Sequence, residues 1–282
     1  MPYHIGVVGG GAMGAGIAQV ALQSGYSVTL VEVDDQAAQK SHSRIDRGLE
    51  RAVERGHIAT DKLIDIRPKL TVETDLSAVA DSDVVIEATF EDVDLKKRIF
   101  SELDTLVAPE TPLTSNTSTI PIVILAKATK RPSHVVGLHF FNPVPAMKLV
   151  EVIKTPIADD SVVSSLQQLA RDLGKSPVLV NDVPGFVGNL LVVPFLLDAV
   201  RAYERGVASK ESIDEVLKLG FNHPLGPLAL CDLIGLDIVV DMAESMYREY
   251  REPRYFPPPT LKQLVRLGNL GRKTGQGFYT YS

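Results

Sequence analysis

The sequence predicts an α/β protein in two parts: an N-terminal doubly wound, mostly parallel sheet with a helical hairpin excursion (residues 1–183), then an all-α C-terminal domain (residues 184–282). Three observations carry the prediction. Short β-branched runs alternate with helical stretches in the first part, the pattern of strands joined by crossover helices. A glycine-rich turn, Gly9 to Gly14, stands between the first strand run and the first helix. Beyond Asn181–Gly185 the strand runs cease and helical spacing continues almost to the end.

Strands are expected at His4–Val8, Ser27–Val33, Leu70–Val72, Asp83–Ala88, Pro112–Ser115 and Val135–Phe141, with Lys148–Ile153 after them. Apolar residues at helical spacing place helices at Ala12–Ser24, Asp35–Arg55, Val93–Val107 and Ile122–Lys127, and a helix followed by a strand within Val162–Val180. Residues 35–67 are far longer than the roughly 12 residues that a crossover needs, so they are expected to project as a helical hairpin turning near Gly56. The second part reads as helices Phe186–Arg205, Lys210–Leu219, Leu236–Tyr250 and Leu261–Leu267, with Pro194 expected to kink the first.

Composition narrows the classes of function. Hydrophobic residues at 45% and charged residues at 23% suit a globular core and exclude disordered and fibrous classes. With 29 basic against 35 acidic residues and no strong basic patch, nucleic acid is not an expected partner. One cysteine, Cys231, cannot form an intramolecular disulfide, which fits a reducing compartment. No signal peptide or membrane-length apolar run is visible, so no membrane partner and a cytoplasmic location are expected.

Gly9, Gly11 and Gly14 occupy the fixed positions of G-x-G-x-x-G, after a strand and at the opening of a helix. A second strand follows with Glu32 at its tip, 23 residues beyond Gly9. This is the Rossmann-type context for dinucleotide binding: Gly9 permits the tight turn, Gly11 lets backbone N–H groups approach a pyrophosphate, and Gly14 lets helix and strand pack closely. The helix N-terminus favours the anion. Glu32 can accept hydrogen bonds from ribose hydroxyls and would repel a 2′-phosphate, which favours NAD over NADP. Asp34, past the strand end, reads instead as a solvated or helix-capping acid.

His139 and Glu151 each lie six residues from Pro145, so strands folded back antiparallel about that proline place them opposite one another. A carboxylate on one ring nitrogen fixes the tautomer, leaves the other nitrogen as a base and stabilises the imidazolium, the pair that an alcohol oxidation requires. A purely structural contact holding the turn is the alternative. Ser115-Asn116-Thr117-Ser118-Thr119 ends a strand, where doubly wound sheets gather ligands, and can either orient a substrate oxygen or cap the next helix. Asn189 places an amide in an apolar helix, where a ligand would satisfy it. No metal site is expected.

Together these motifs resemble the L-3-hydroxyacyl-CoA dehydrogenase family, closest to its bacterial 3-hydroxybutyryl-CoA branch. The resemblance spans essentially the whole chain through Gly9–Gly14, Ser115–Ser118, Gly137–Pro145, Met147–Lys154, Pro184–Phe186, His223–Asp232 and Gly271–Tyr279. It implies NAD-dependent interconversion of an L-3-hydroxyacyl-CoA and a 3-ketoacyl-CoA, with His139 as general base, Glu151 orienting it, and Ser118 and Asn189 around the reacting oxygen. It implies cofactor contacts at Gly9, Gly11, Ala12, Met13, Gly14, Glu32, Glu91 and Asn116. Arg44, Arg47, Arg51 and Arg55 share one helix face, and the resemblance gives that region a role in holding coenzyme A, with Arg51, Arg55 and His57 as the substrate-side basic residues. A solvated face paired with Asp46, Glu50 and Glu54 is the alternative.

The chain departs from the family around Asn189, which Gly188 precedes and Leu190 follows; a glycine within a helix costs about 1 kcal/mol relative to alanine. Apolar helices such as Leu190–Val200 and Leu228–Val240 leave more hydrophobic surface than a small domain hides, and the family's C-terminal domain dimerises, so a homodimer is expected. Two other functions stay open: a sugar-acid dehydrogenase of the gulonate 3-dehydrogenase and lambda-crystallin branch, and a catalytically silent NAD-binding structural protein.

Overall fold

The computed structural model describes residues 3–281. The chain divides into two compact units, Met1–Val183 and Pro184–Ser282. In the first, β1 (His4–Val8), α1 (Ala12–Gln23), β2 (Ser27–Val31) and α2 (Asp35–Glu54) are followed by the short α3 (Leu63–Ile66) and by β3 (Leu70–Glu73) and β4 (Val84–Glu87). Next come α4 (Val93–Leu106), β5 (Leu113–Ser115), α5 (Ile122–Ala126), β6 (Val135–Phe140), β7 (Leu149–Lys154), α6 (Asp160–Asp172) and β8 (Ser176–Asn181).

The eight strands form one sheet in the order β3-β2-β1-β4-β5-β6-β7-β8. Pairings from β3 through to β6 are parallel, β7 runs antiparallel to β6, and β8 is parallel to β7. The central strand β4 is buried along its whole length, as expected where helices cover both faces of a parallel sheet and strands read as unbroken apolar runs. The order reverses about β1 and β4, whose carboxyl ends deliver the glycine turn and the Glu87–Glu91 loop to one edge of the sheet. Ligand crevices form at such switch points.

The excursion begins with Asp34, whose carboxylate accepts the Ala37 N–H at 2.7 Å and caps α2, so the capping role expected for this acid is the one that it fills. Ser41, Ile45, Leu49 and Ala52 form the buried face of α2. The chain reverses at Gly56, where φ is +72°, and returns through single turns and α3. Arg67 at the end of the return donates to Asp46 at 2.7 Å and to Glu50 at 3.0 Å, tying the return arm to α2.

The second unit contains α7 (Gly188–Glu204), α8 (Lys210–Gly220), α9 (Pro227–Ile234), α10 (Leu236–Tyr250) and α11 (Pro259–Arg266) around a core that includes Leu196, Leu228, Cys231, Val239 and Met246. Two local expectations change. The apolar stretch Leu228–Val240 is two helices, because Gly235 adopts φ +107° and ends α9 before α10 begins. Gly188 is the first residue of α7, outside the interior where glycine is costly, and α7 continues through Pro194 as one element. Among the described residues no helix is long and apolar enough to cross a membrane, and no group of three or more His, Cys, Asp or Glu side chains is placed to hold a metal ion.

Candidate active site

At the glycine turn the backbone leaves β1 with Gly9 at φ +92° and enters α1 at Ala12 and Met13. A Cβ on Gly14 would lie 1.8 Å from the Gly9 carbonyl oxygen, so close packing of helix on strand demands glycine there. At Gly11 the reason differs. A Cβ there would meet no protein atom within 4 Å, and no side chain caps the helix. The opening of α1 therefore presents N–H groups that no described residue pairs to open space over a residue without a side chain, which fits a dinucleotide pyrophosphate.

Glu32 stands beside this turn. Its Oε1 accepts the Gly10 N–H at 2.9 Å and lies 2.7 Å from Ser41 Oγ. An ionised carboxylate has about four acceptor positions, so the orientation of Glu32 is fixed and capacity remains for ribose hydroxyls.

The β6–β7 register pairs His139 with Glu151, the juxtaposition expected from a fold-back about Pro145. Both are buried, at 5% and 2% exposure, and His139 Nδ1 lies 2.8 Å from Glu151 Oε2. An ionised carboxylate only accepts, so Nδ1 carries the proton and Nε2 is the acceptor nitrogen. Ser118 Oγ donates to Nε2 at 3.2 Å. The Phe141 ring stands 4.6 Å from the imidazole, centroid to centroid, and limits its rotation.

Residues 115–119 are held from below by two glutamates. Glu87, wholly buried at the end of β4, accepts Ser115 Oγ at 2.6 Å and Lys96 Nζ at 2.6 Å. Glu91 accepts Thr117 Oγ1 at 2.6 Å and the N–H groups of Ser118 and Thr119 at 3.0 and 3.1 Å. Lys96 Nζ lies 3.7 Å from Glu91 and bridges the two acids. Glu91 thus sets the backbone that aims Ser118 at His139. The amide oxygen of Asn116 accepts the Phe140 N–H at 2.8 Å, joining the ends of β5 and β6, and leaves its NH₂ and one lone pair to offer a cofactor. The segment does not cap α5. That role belongs to Asp182, which accepts the Ile122 and Val123 N–H groups at 2.8 and 2.7 Å and whose pKa burial raises against those bonds.

Four residues of this arrangement were not among the sequence expectations: Glu87, Lys96, Arg44 as a contact to the turn, and Lys175. Lys175 is buried with no acid partner among the described residues, its Nζ donating to the Val144 and Met147 carbonyls at 2.5 and 2.9 Å, and burial lowers its pKa. It pins the loop, with its cis Asn142–Pro143 bond, that joins the His139 and Glu151 strands. Asn189 lies in the second unit, on the first turn of α7, buried at 6% exposure. Before it, Gly185 and Phe186 both take positive φ, +80° and +52°, an uncommon conformation for a buried aromatic residue.

A cavity of about 560 Å³ opens between α1, α2 and residues 142–146. Arg44, Arg47, Arg51, Arg55 and His57 line one side and Ala12, Ala15 and Gly16 another. None of the four arginines forms an ion pair among the described residues, and Asp46 and Glu50 pair with Arg67 instead. The face is solvated, with all four arginines exposed, but its expected pairing with Asp46, Glu50 and Glu54 does not form among the described residues.

The NAD-binding domain of the 3-hydroxyacyl-CoA dehydrogenases matches residues 4–183, and the C-terminal domain of that family matches residues 185–281. The chain is 45% identical over 280 residues to a 3-hydroxybutyryl-CoA dehydrogenase of Mycobacterium tuberculosis, covering 99% of this chain and 98% of the relative. Among solved structures, FadB2 of Mycobacterium tuberculosis superposes with a TM-score of 0.95 at 45% identity, covering 99% and 98% of the two chains. The (S)-3-hydroxybutyryl-CoA dehydrogenase of Ralstonia eutropha superposes with a TM-score of 0.93 at 39% identity, covering 100% of each.

Proposed function

Because the chain belongs to the 3-hydroxyacyl-CoA dehydrogenase family, we propose that it interconverts a short-chain L-3-hydroxyacyl-CoA, 3-hydroxybutyryl-CoA in the first instance, and the 3-ketoacyl-CoA, with NAD as cofactor. The observation that carries the chemistry is the buried His139–Glu151 pair with Nε2 left as acceptor. When bound, NAD+ would accept the hydride in oxidation and NADH would give it up in reduction. In oxidation Nε2 takes the C3 hydroxyl proton, and Glu151 stabilises the imidazolium through Nδ1–H. In reduction the imidazolium returns the proton. Ser118, held by Glu91 beneath it, orients the reacting oxygen next to Nε2. Gly9, Gly11, Ala12, Met13 and Gly14 would hold the pyrophosphate, and Glu32 the ribose.

We assign the arginine-lined cavity to coenzyme A, whose phosphates suit guanidinium forks. That assignment favours a thioester over a free sugar acid. A homodimer through the second unit is proposed on its exposed apolar side chains, Leu191, Leu219, Phe221 and Leu233.

An absorbance assay of NADH tests the function. Acetoacetyl-CoA is expected to consume NADH, while free gulonate with NAD produces none. Turnover of gulonate alone would replace this reading with the sugar-acid one, and silence with both substrates would leave a NAD-binding structural protein.

A further inference from the structure

We infer that Arg44 serves both anionic ligands at once, holding the dinucleotide turn through Gly10 and offering its remaining guanidinium N–H groups to a phosphate of coenzyme A. The inference rests on the assignment of the arginine cavity to coenzyme A.

Arg44 stands in the first half of α2, and its Nη1 donates to the Gly10 carbonyl at 2.7 Å. Gly10 is thereby gripped on both sides, since its N–H is bound to Glu32. A planar trans peptide sends its C=O and the following N–H in opposite directions, so fixing the Gly10 carbonyl fixes the direction of the Gly11 N–H at the opening of α1. Ser41 Oγ also lies 2.9 Å from that carbonyl, but its single proton is contested by Glu32 Oε1 at 2.7 Å. Arg44 is the donor that has no such competitor.

The same side chain lines the cavity with Arg47, Arg51, Arg55 and Ala12, the first residue of α1. Cavity and glycine turn therefore meet at Arg44. A guanidinium has five N–H donors and one bond to Gly10 leaves it forks to spare, and no acid among the described residues pairs with it. From Arg44 to Arg55 the row extends about 16 Å along the helix, with Arg44 at the dinucleotide end. Two polyanions bound on either side of one cation are each relieved of repulsion from the other. Their affinities are then linked, by the same factor whichever binds first.

Calorimetric titration of the full-length protein with coenzyme A and with NAD, each alone and each with the other present, tests this. Arg44→Met is expected to weaken both ligands about fivefold or more and to shift their coupling toward mutual antagonism. Arg51→Met is expected to weaken coenzyme A alone and to leave both NAD affinity and the coupling at the wild-type values. Arg44→Lys keeps one charge and one direction of bonding, so it should spare NAD and lose part of the coenzyme A affinity, since lysine lacks the fork. Unchanged NAD affinity in Arg44→Met would overturn the inference. So would weakened NAD binding with coenzyme A and the coupling untouched. If neither Arg44→Met nor Arg51→Met alters coenzyme A binding, the cavity assignment itself fails, and the shared role with it.

Discussion

The two units bury carboxylates with different partners. In the first, Glu87 meets the Lys96 ammonium and Glu151 meets the His139 imidazole, both side-chain partners. In the second, Asp214 accepts the Leu228 and Ala229 N–H groups and the Tyr279 hydroxyl, and Asp232 accepts the Phe278 and Tyr279 N–H groups and the Tyr281 hydroxyl. Those donors come mostly from fixed backbone. Asp214 caps α9 from a distance and Asp232 staples the C-terminal segment onto it. A buried acid surrounded by backbone N–H groups fastens structure, and Glu87 does so through side chains, whereas Glu151 faces the His139 imidazole and is the one that the proposed proton transfer would use.

Asp232→Ala gives this contrast its largest expected consequence for stability. Two N–H groups and a phenol lose their acceptor inside a site that is 1% exposed, which should cost about 3 kcal/mol or more. Thermal unfolding followed by circular dichroism would measure it. A change below the usual surface range would show that the staple is dispensable.

A smaller effect is expected in alkali. The Tyr281 hydroxyl is pushed up to about 12 from its ordinary 10.0, chiefly by burial and then by its bond to Asp232, and Tyr279 is raised in the same way through Asp214. Because the native state holds these protons more tightly than the unfolded chain, the stability that they contribute is intact below pH 10.0 and is lost as pH rises from there through the native value near 12. Tyr281→Phe should flatten the decline of melting temperature between pH 10.0 and about 12, and an identical slope in the variant would remove Tyr281 as its source.

What the sequence made legible follows from how local each signal is. The β1–α1–β2 unit was readable because glycines, helix and acid fall within one short stretch, and His139 and Glu151 because the pairing of β6 with β7 is symmetric about Pro145. The arginine face was readable from helical spacing, but its lack of acid partners was not, since that depends on Arg67, which returns from 21 residues beyond Asp46. Lys96 left a trace that could have been found: it shares the buried stripe of α4 with Phe100 and Leu103, an odd place for a cation without a buried acid opposite. Lys175 left none, because the carbonyls that it holds lie about thirty residues away across the sheet. The start of α10 at Leu236 was readable, but α9 was not set apart from it, because apolar residues flank Gly235 on both sides.

The proposed function stands on transfer of the hydroxyl proton by the acid-steered imidazole. Steady-state reduction of acetoacetyl-CoA by His139→Ala, with NAD binding measured on the same preparation, tests it most directly. Turnover should fall about 10²–10⁴-fold while NAD affinity is retained. A rate equal to that of the unaltered protein would contradict the assignment, whatever the glycine turn binds.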